Sequence, residues 1–167
     1  MTPWMHLVLI CLMATVLCLA VCIDVSVRRI PNVLSVGLAA AALVMRAAGG
    51  PAELADGLLG AGIGFIALFP LWVFGGFGAG DVKLMAACGA VLGVGATLVA
   101  IPATLIAGGA IAVTFVVWTV LRERLAIGAL AATVVTAPRS AFSLIKSRFP
   151  YALAIASGAG FAVWTLP

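Results

Sequence analysis

The chain of 167 residues holds three aspartates, two glutamates and one histidine, so carboxyl chemistry has few addresses. Glu53 and Asp56 follow the turn-forming Gly49-Gly50-Pro51, and Glu123 sits between Arg122 and Arg124, which can neutralise it. Asp24 and Asp81 remain. Each adjoins a long apolar run, where an ionisable side chain is expensive and therefore a functional candidate. Two carboxyls brought close cannot both ionise cheaply, so such a pair holds one shared proton. The ionised member can activate a water while the protonated member donates to a scissile carbonyl oxygen. That is general acid/base hydrolysis with no metal and no covalent intermediate. Taken singly, each aspartate has a plainer reading as a helix cap or as the partner of a nearby base, Arg28 or Lys83. Gly78 and Gly80, just before Asp81, would let a substrate backbone come close because they carry no side chain. Their plainer reading is a hinge or tight helix packing.

The rest of the chain sets where these groups sit. Hydrophobic residues make up 65% of it and charged residues 8%, whereas a soluble domain carries roughly a quarter charged residues. Lipid must cover most of its outside. Backbone polar groups find no water in hydrocarbon, so the spans are expected to be helices, giving an all-α polytopic membrane protein. We read residues 1–167 as a single membrane domain. The net charge of +4 comes without a basic groove or an aromatic platform, which argues against nucleic acid. Cys11, Cys18, Cys22 and Cys88 lie in apolar runs with no CxxC pair, so they read as small hydrophobic residues rather than as a zinc site or disulfide framework. No metal or other cofactor is called for. His6 reads as an inert interfacial residue. Trp4, Trp72, Trp118 and Trp164 fall near span ends, where tryptophan anchors helices at the membrane interface.

About six spans are expected at the length a bilayer demands. They cover roughly Pro3 to Ile23, Val33 to Ala48, Gly57 to Phe74, Val82 to Leu92, Ala96 to Leu121 and Tyr151 to Leu166. The first is longer than a signal-peptide core and has no Lys or Arg before it, so it reads as a retained helix. Gly93 and Gly95 break the fourth from the fifth. Pro102 falls near the start of the fifth, where a helix tolerates it. Leu125 to Ala137 is apolar but too short to span, and is expected to lie on or dip into the surface.

Counting spans from an outside N-terminus puts Asp24, Arg28, Arg29, Asp81, Lys83, Arg122, Arg124, Arg139, Lys146 and Arg148 on the cytosolic side. Only Arg46 falls outside, beside Glu53 and Asp56. Eight of the nine basic residues are then cytosolic, as the positive-inside tendency requires.

Three patches carry a family resemblance. Gly78-Ala-Gly-Asp81, followed by Val-Lys83-Leu, matches the GxGD motif of intramembrane aspartyl proteases. Asp24-x-x-x-Arg28-Arg-Ile-Pro-Asn32 resembles the other catalytic motif of the type IV prepilin peptidase family, and Pro150-Tyr-Ala-Leu-Ala-Ile-Ala156 resembles its C-terminal segment. The resemblance implies cleavage of the short basic leader of pilin precursors at the cytosolic face of the bacterial inner membrane. It assigns Asp24 and Asp81 the catalytic roles. Arg28, Arg29 and Lys83 would orient the aspartates, bind lipid headgroups or meet substrate acids, and Pro150 and Tyr151, with the residues to Leu153, would shape the site. The implied partners are a pilin precursor, the lipid bilayer and pilus-assembly machinery. The longer members of the family carry a cytosolic insertion with two CxxC pairs. Here Asn32 runs straight into Val33, which resembles the short stand-alone type of tight-adherence (Flp) pili and gives no support for N-methylation. Presenilin-like proteases pair GxGD with Tyr-Asp, whereas Asp24 follows Ile23.

Two other classes remain open. One is a non-enzymatic assembly subunit or a small proton-coupled transporter, although no internal repeat is found and both aspartates fall near an interface rather than the midplane. The other is an archaeal preflagellin-type peptidase with the same chemistry.

Overall fold

The computed structural model describes residues 3–27, 31–74, 78–129 and 151–165. Among them every element is an α-helix: α1 (Pro3–Val27), α2 (Asn32–Ala48), α3 (Pro51–Val73), α4 (Ala79–Ala129) and α5 (Tyr151–Thr165). Three helical stretches, Pro3–Asp24, Pro51–Val73 and Ala79–Leu121, are long and apolar enough to cross a membrane, and Asn32–Ala48 and Ala152–Thr165 are shorter apolar helices. The protein is an all-α polytopic membrane protein.

Each helix turns a regular stripe inward. On α1 the buried residues are Met5, Leu9, Met13, Leu17 and Ala20, spaced by three or four, and Asp24 is the next position on that stripe. On α2 they are Ser35, Leu38, Ala42 and Arg46, and on α3 Gly57, Gly60, Gly64 and Leu68. The glycine stripe reflects how membrane helices associate. Lipid tails are as apolar as leucine, so contact comes from close packing of small residues rather than from hydrophobic burial. Gly60 and Gly89 lie backbone to backbone, and a side chain on either would run into the other's carbonyl. Gly57 faces Ala90, and Gly64 faces Met85, so α3 and the start of α4 run antiparallel.

Three boundaries differ from expectation. Helix α1 does not stop at Ile23 but continues to Val27, because Val25-Ser-Val27 contains no breaker and Pro31 disfavours helix only in the residue before it. Helix α3 begins at Pro51 rather than near Gly57, so Glu53 and Asp56 belong to it and not to a connection. Proline is well suited to a first helical position, and an acid in the first turn faces the positive end of the helix. Leu125 to Ala129 prolongs α4 rather than forming a surface segment of its own; the remainder of that expected segment, 130–137, lies outside the described residues.

Helix α4 is the least regular. Its run is broken at Gly93, whose φ of 76° and ψ of −175° are not helical, whereas Gly95 stays helical. The limbs on either side, 79–92 and 94–129, correspond to the expected fourth and fifth spans. Pro102 is in the interior of the second limb, beyond its first turn. The second limb packs antiparallel to α5, with Thr104 against Gly158 and Gly108 against Ala154. The chain folds back at Gly93, since Asp81 and the Gly108–Ala154 level reach the same end of the bundle. A straight helix would hold them roughly 40 Å apart.

Candidate active site

Asp24 comes to the site on the inward stripe of α1, one turn beyond the fully buried Ala20. It accepts a hydrogen bond from the backbone N–H of Ala152, in the first turn of α5. The first N–H groups of a helix have no partner within it, so Asp24 caps α5 across the bundle. Its Oδ2 is buried and has no protein partner.

Asp81 lies in the first turn of α4 and is 6% exposed. Its Oδ2 accepts the backbone N–H of Gly78 at 3.0 Å. This is one half of a capping box, in which the third helical residue reaches back to the residue before the helix. Gly78 suits that role. A Cβ there would stand 3.0 Å from Asp81 Oδ2, and without one its exposed backbone meets the carboxylate directly. Gly80 is half-buried in the same turn.

The two aspartates are 57 residues apart in the chain, yet their carboxylates lie close enough for their charges to interact. A further bond ties the two sequence patches together: Lys83 Nζ donates to Asn32 Oδ1 at 3.1 Å, at the exposed edge of the site. The N-terminal patch, the GxGD patch and the start of α5 thus meet at one end of the bundle. Each carboxylate is oriented by a backbone N–H at a helix start, which fixes it more firmly than a long basic side chain would.

Arg28, Arg29 and Pro150 lie outside the described residues. Tyr151 contributes the first helical residue of α5. Two contacts went unread in the sequence. The Asn32–Lys83 bond joins positions 51 residues apart, and nothing in local pattern pairs them. Ala152 acts through its backbone, which residue type does not reveal.

The sequence model of the type IV leader peptidase family matches residues 11–113, more than half of the chain. The chain belongs to that family. The matched stretch contains Asp24, Asn32, Asp81 and Lys83, while α5 with Ala152 lies beyond it. No curated protein and no solved structure matches the chain. Membership makes this leader peptidase a protease with a type IV leader peptidase-like activity, and its apolar helices embed it in a membrane. Its four cysteines form no disulfide among the described residues, and three of them, Cys11, Cys18 and Cys22, face outward.

Proposed function

We propose that this peptidase removes the leader of type IV pilin-like precursors by an aspartate-dyad mechanism at the cytosolic face of the inner membrane. The observation that carries the reading is the convergence at one end of the bundle of Asp24, on the inward stripe of α1, and Asp81, in the first turn of α4, where Lys83 also bonds Asn32. One proton shared by the pair supplies an acid and a base together. The ionised carboxylate takes a proton from a water as that water attacks the scissile carbonyl carbon. The protonated carboxyl gives its proton to the carbonyl oxygen, forming a tetrahedral diol. Collapse breaks the C–N bond: the leaving amine takes a proton from the carboxyl that received one, the other carboxylate takes a proton back from a diol hydroxyl as the new carbonyl forms, and the pair returns to its starting state. Gly78, exposed beside Asp81, leaves room for an extended substrate backbone.

The short, tight-adherence type of substrate is favoured by the connection between α1 and α2. Only residues 28–31 separate Val27 from Asn32, too few for the cytosolic domain of the longer enzymes. The enzyme would therefore cleave and not methylate.

The deciding experiment co-expresses the chain with Flp-type and other type IV pilin precursors and follows leader removal by gel shift. The wild type should process a precursor, and Asp24→Asn and Asp81→Asn should each abolish processing. Full processing by either variant would overturn the dyad. Proton-coupled flux without any cleavage would move the protein into the transporter class.

A further inference from the structure

The end of the bundle opposite the two aspartates holds a second polar cluster. A helix broken inside a membrane frees backbone groups: carbonyls at the end of its first limb, N–H groups at the start of its second. Hydrocarbon offers them no water. Here one ion pair takes a group of each sign. Arg46 Nη2 donates to the carbonyl of Val91 at 2.8 Å, and Asp56 Oδ1 accepts the N–H of Val94 at 3.1 Å. The two side chains are joined to each other, Nη1 to Oδ2, at 2.8 Å. Arg46 Nη1 also lies 3.4 Å from Glu53 Oε2 and 3.3 Å from its backbone carbonyl. The signs match the dipoles, with a cation at a limb's C-terminal end and an anion at the next limb's N-terminal start.

Space is made for the cluster. Arg46 is 1% exposed, and a Cβ on Gly57 would come within 2.5 Å of its Cδ. A Cβ on Gly93 would strike the Asp56 carboxylate. Thr97 Oγ1 donates to the Gly93 carbonyl, so a third backbone group at the break has a side-chain partner.

We propose that Arg46 and Asp56 are positioning residues for the carboxyl pair. They fix the break in α4, and through it the depth and tilt of limb 79–92, which carries Asp81 at its far end. The proposal rests on the reading of Asp24 and Asp81 as a working pair. Limb 79–92 is about 21 Å long, against a hydrocarbon layer of about 30 Å, so matching to the bilayer does not set its depth. Its neighbours must. Gly93 lies roughly 18 Å along the limb from Asp81, so the cluster acts on the chemistry through the limb and not by touching substrate at the dyad.

Two cross-links in the full chain, with Cys11, Cys18 and Cys22 replaced by Ser and Cys88 by Ala, test this without substrate. Asp24→Cys with Asp81→Cys, joined by a short bis-methanethiosulfonate, reports the convergence of the pair. Gly108→Cys with Ala154→Cys, where a Cβ on Gly108 would stand 3.4 Å from that of Ala154, reports the second limb against α5. Arg46→Met and Asp56→Asn should each lower the first cross-link about fivefold or more and leave the second unchanged. On a precursor, the same changes in the native chain should lower kcat by about 100-fold with little change in KM. Where Arg46→Met prevents folding, the near-isosteric Asp56→Asn decides. An undiminished first cross-link would overturn the proposal. So would loss of both cross-links in Asp56→Asn, since the pair would then hold the whole bundle rather than one limb. A wild-type chain that cleaves no precursor would remove the protease reading while the cross-links still judge the positioning.

Discussion

Asp24 and Asp81 are held by backbone N–H groups, at Ala152 and Gly78, which leaves the nearby lysine a lesser part. Lys83 bonds Asn32 at an exposed edge, where charge-assisted contacts contribute about 1 kcal/mol or less. Lys83→Met should therefore slow leader removal by less than about tenfold, whereas Asp81→Asn should abolish it; initial rates on one precursor compare the two. A pair working with one shared proton also fixes the form of the pH dependence. At low pH both carboxyls are protonated and no base remains; at high pH both are ionised and no acid remains. The rate should fall on both sides of an optimum, and the two apparent values belong to the pair rather than to either residue. A rate that rises or falls in one direction only, measured in proteoliposomes, would contradict the shared proton.

At the scale of elements, glycine type alone could not say which glycine breaks a helix. Gly93 and Gly95 look equivalent in the sequence, which predicts a break at both. Only Gly93 does, because its neighbours are the Asp56 carboxylate and the Arg46 guanidinium, and only there is φ positive. Gly93→Ala should destabilise the protein by more than about 1 kcal/mol from backbone strain alone, lowering the melting temperature in detergent by several degrees. Gly95→Ala, with nothing within 4 Å of its would-be Cβ, should leave it unchanged or raise it slightly, since alanine is the better helix former by about 1 kcal/mol. The same contrast measures what was legible. Apolar runs and their punctuation gave the helices and most of their order. Residue chemistry singled out Asp24 and Asp81 as candidates. The α1 end at Val27 and the α3 start at Pro51 depart from what apolar length predicts, the first because Val25-Ser-Val27 holds no breaker and the second because proline suits a first helical position. Arg46 was visible as the one basic residue beside two acids, yet its partner on Val91, like the partner of Asp56 on Val94, is a backbone group exposed only by a break in another helix.

The molecule as a whole has two polar poles separated by an apolar middle. One holds Asp24, Asp81, Asn32, Lys83 and the start of α5; the other holds Arg46, Glu53, Asp56 and the Gly93 break. Helices α2, α3 and limb 79–92 each run from one pole to the other, so a residue's pole follows from its place along its helix. Lysine and arginine are retained on the cytosolic side during insertion. Lys83 lies at the dyad pole, and in the sequence Arg28 and Arg29 directly follow α1, whose Asp24 is there, so that pole should face the cytosol. Single cysteines at Asn32 and at Lys83, both exposed, should then react with a membrane-impermeant maleimide only after the inner membrane is opened. A cysteine at Ala52, exposed in the first turn of α3, should react in cells whose inner membrane is intact. The reverse pattern would invert the orientation while leaving the fold standing. Reaction of positions 32 and 83 from opposite sides would be more damaging, because a 3.1 Å bond between their side chains cannot straddle a bilayer about 30 Å thick.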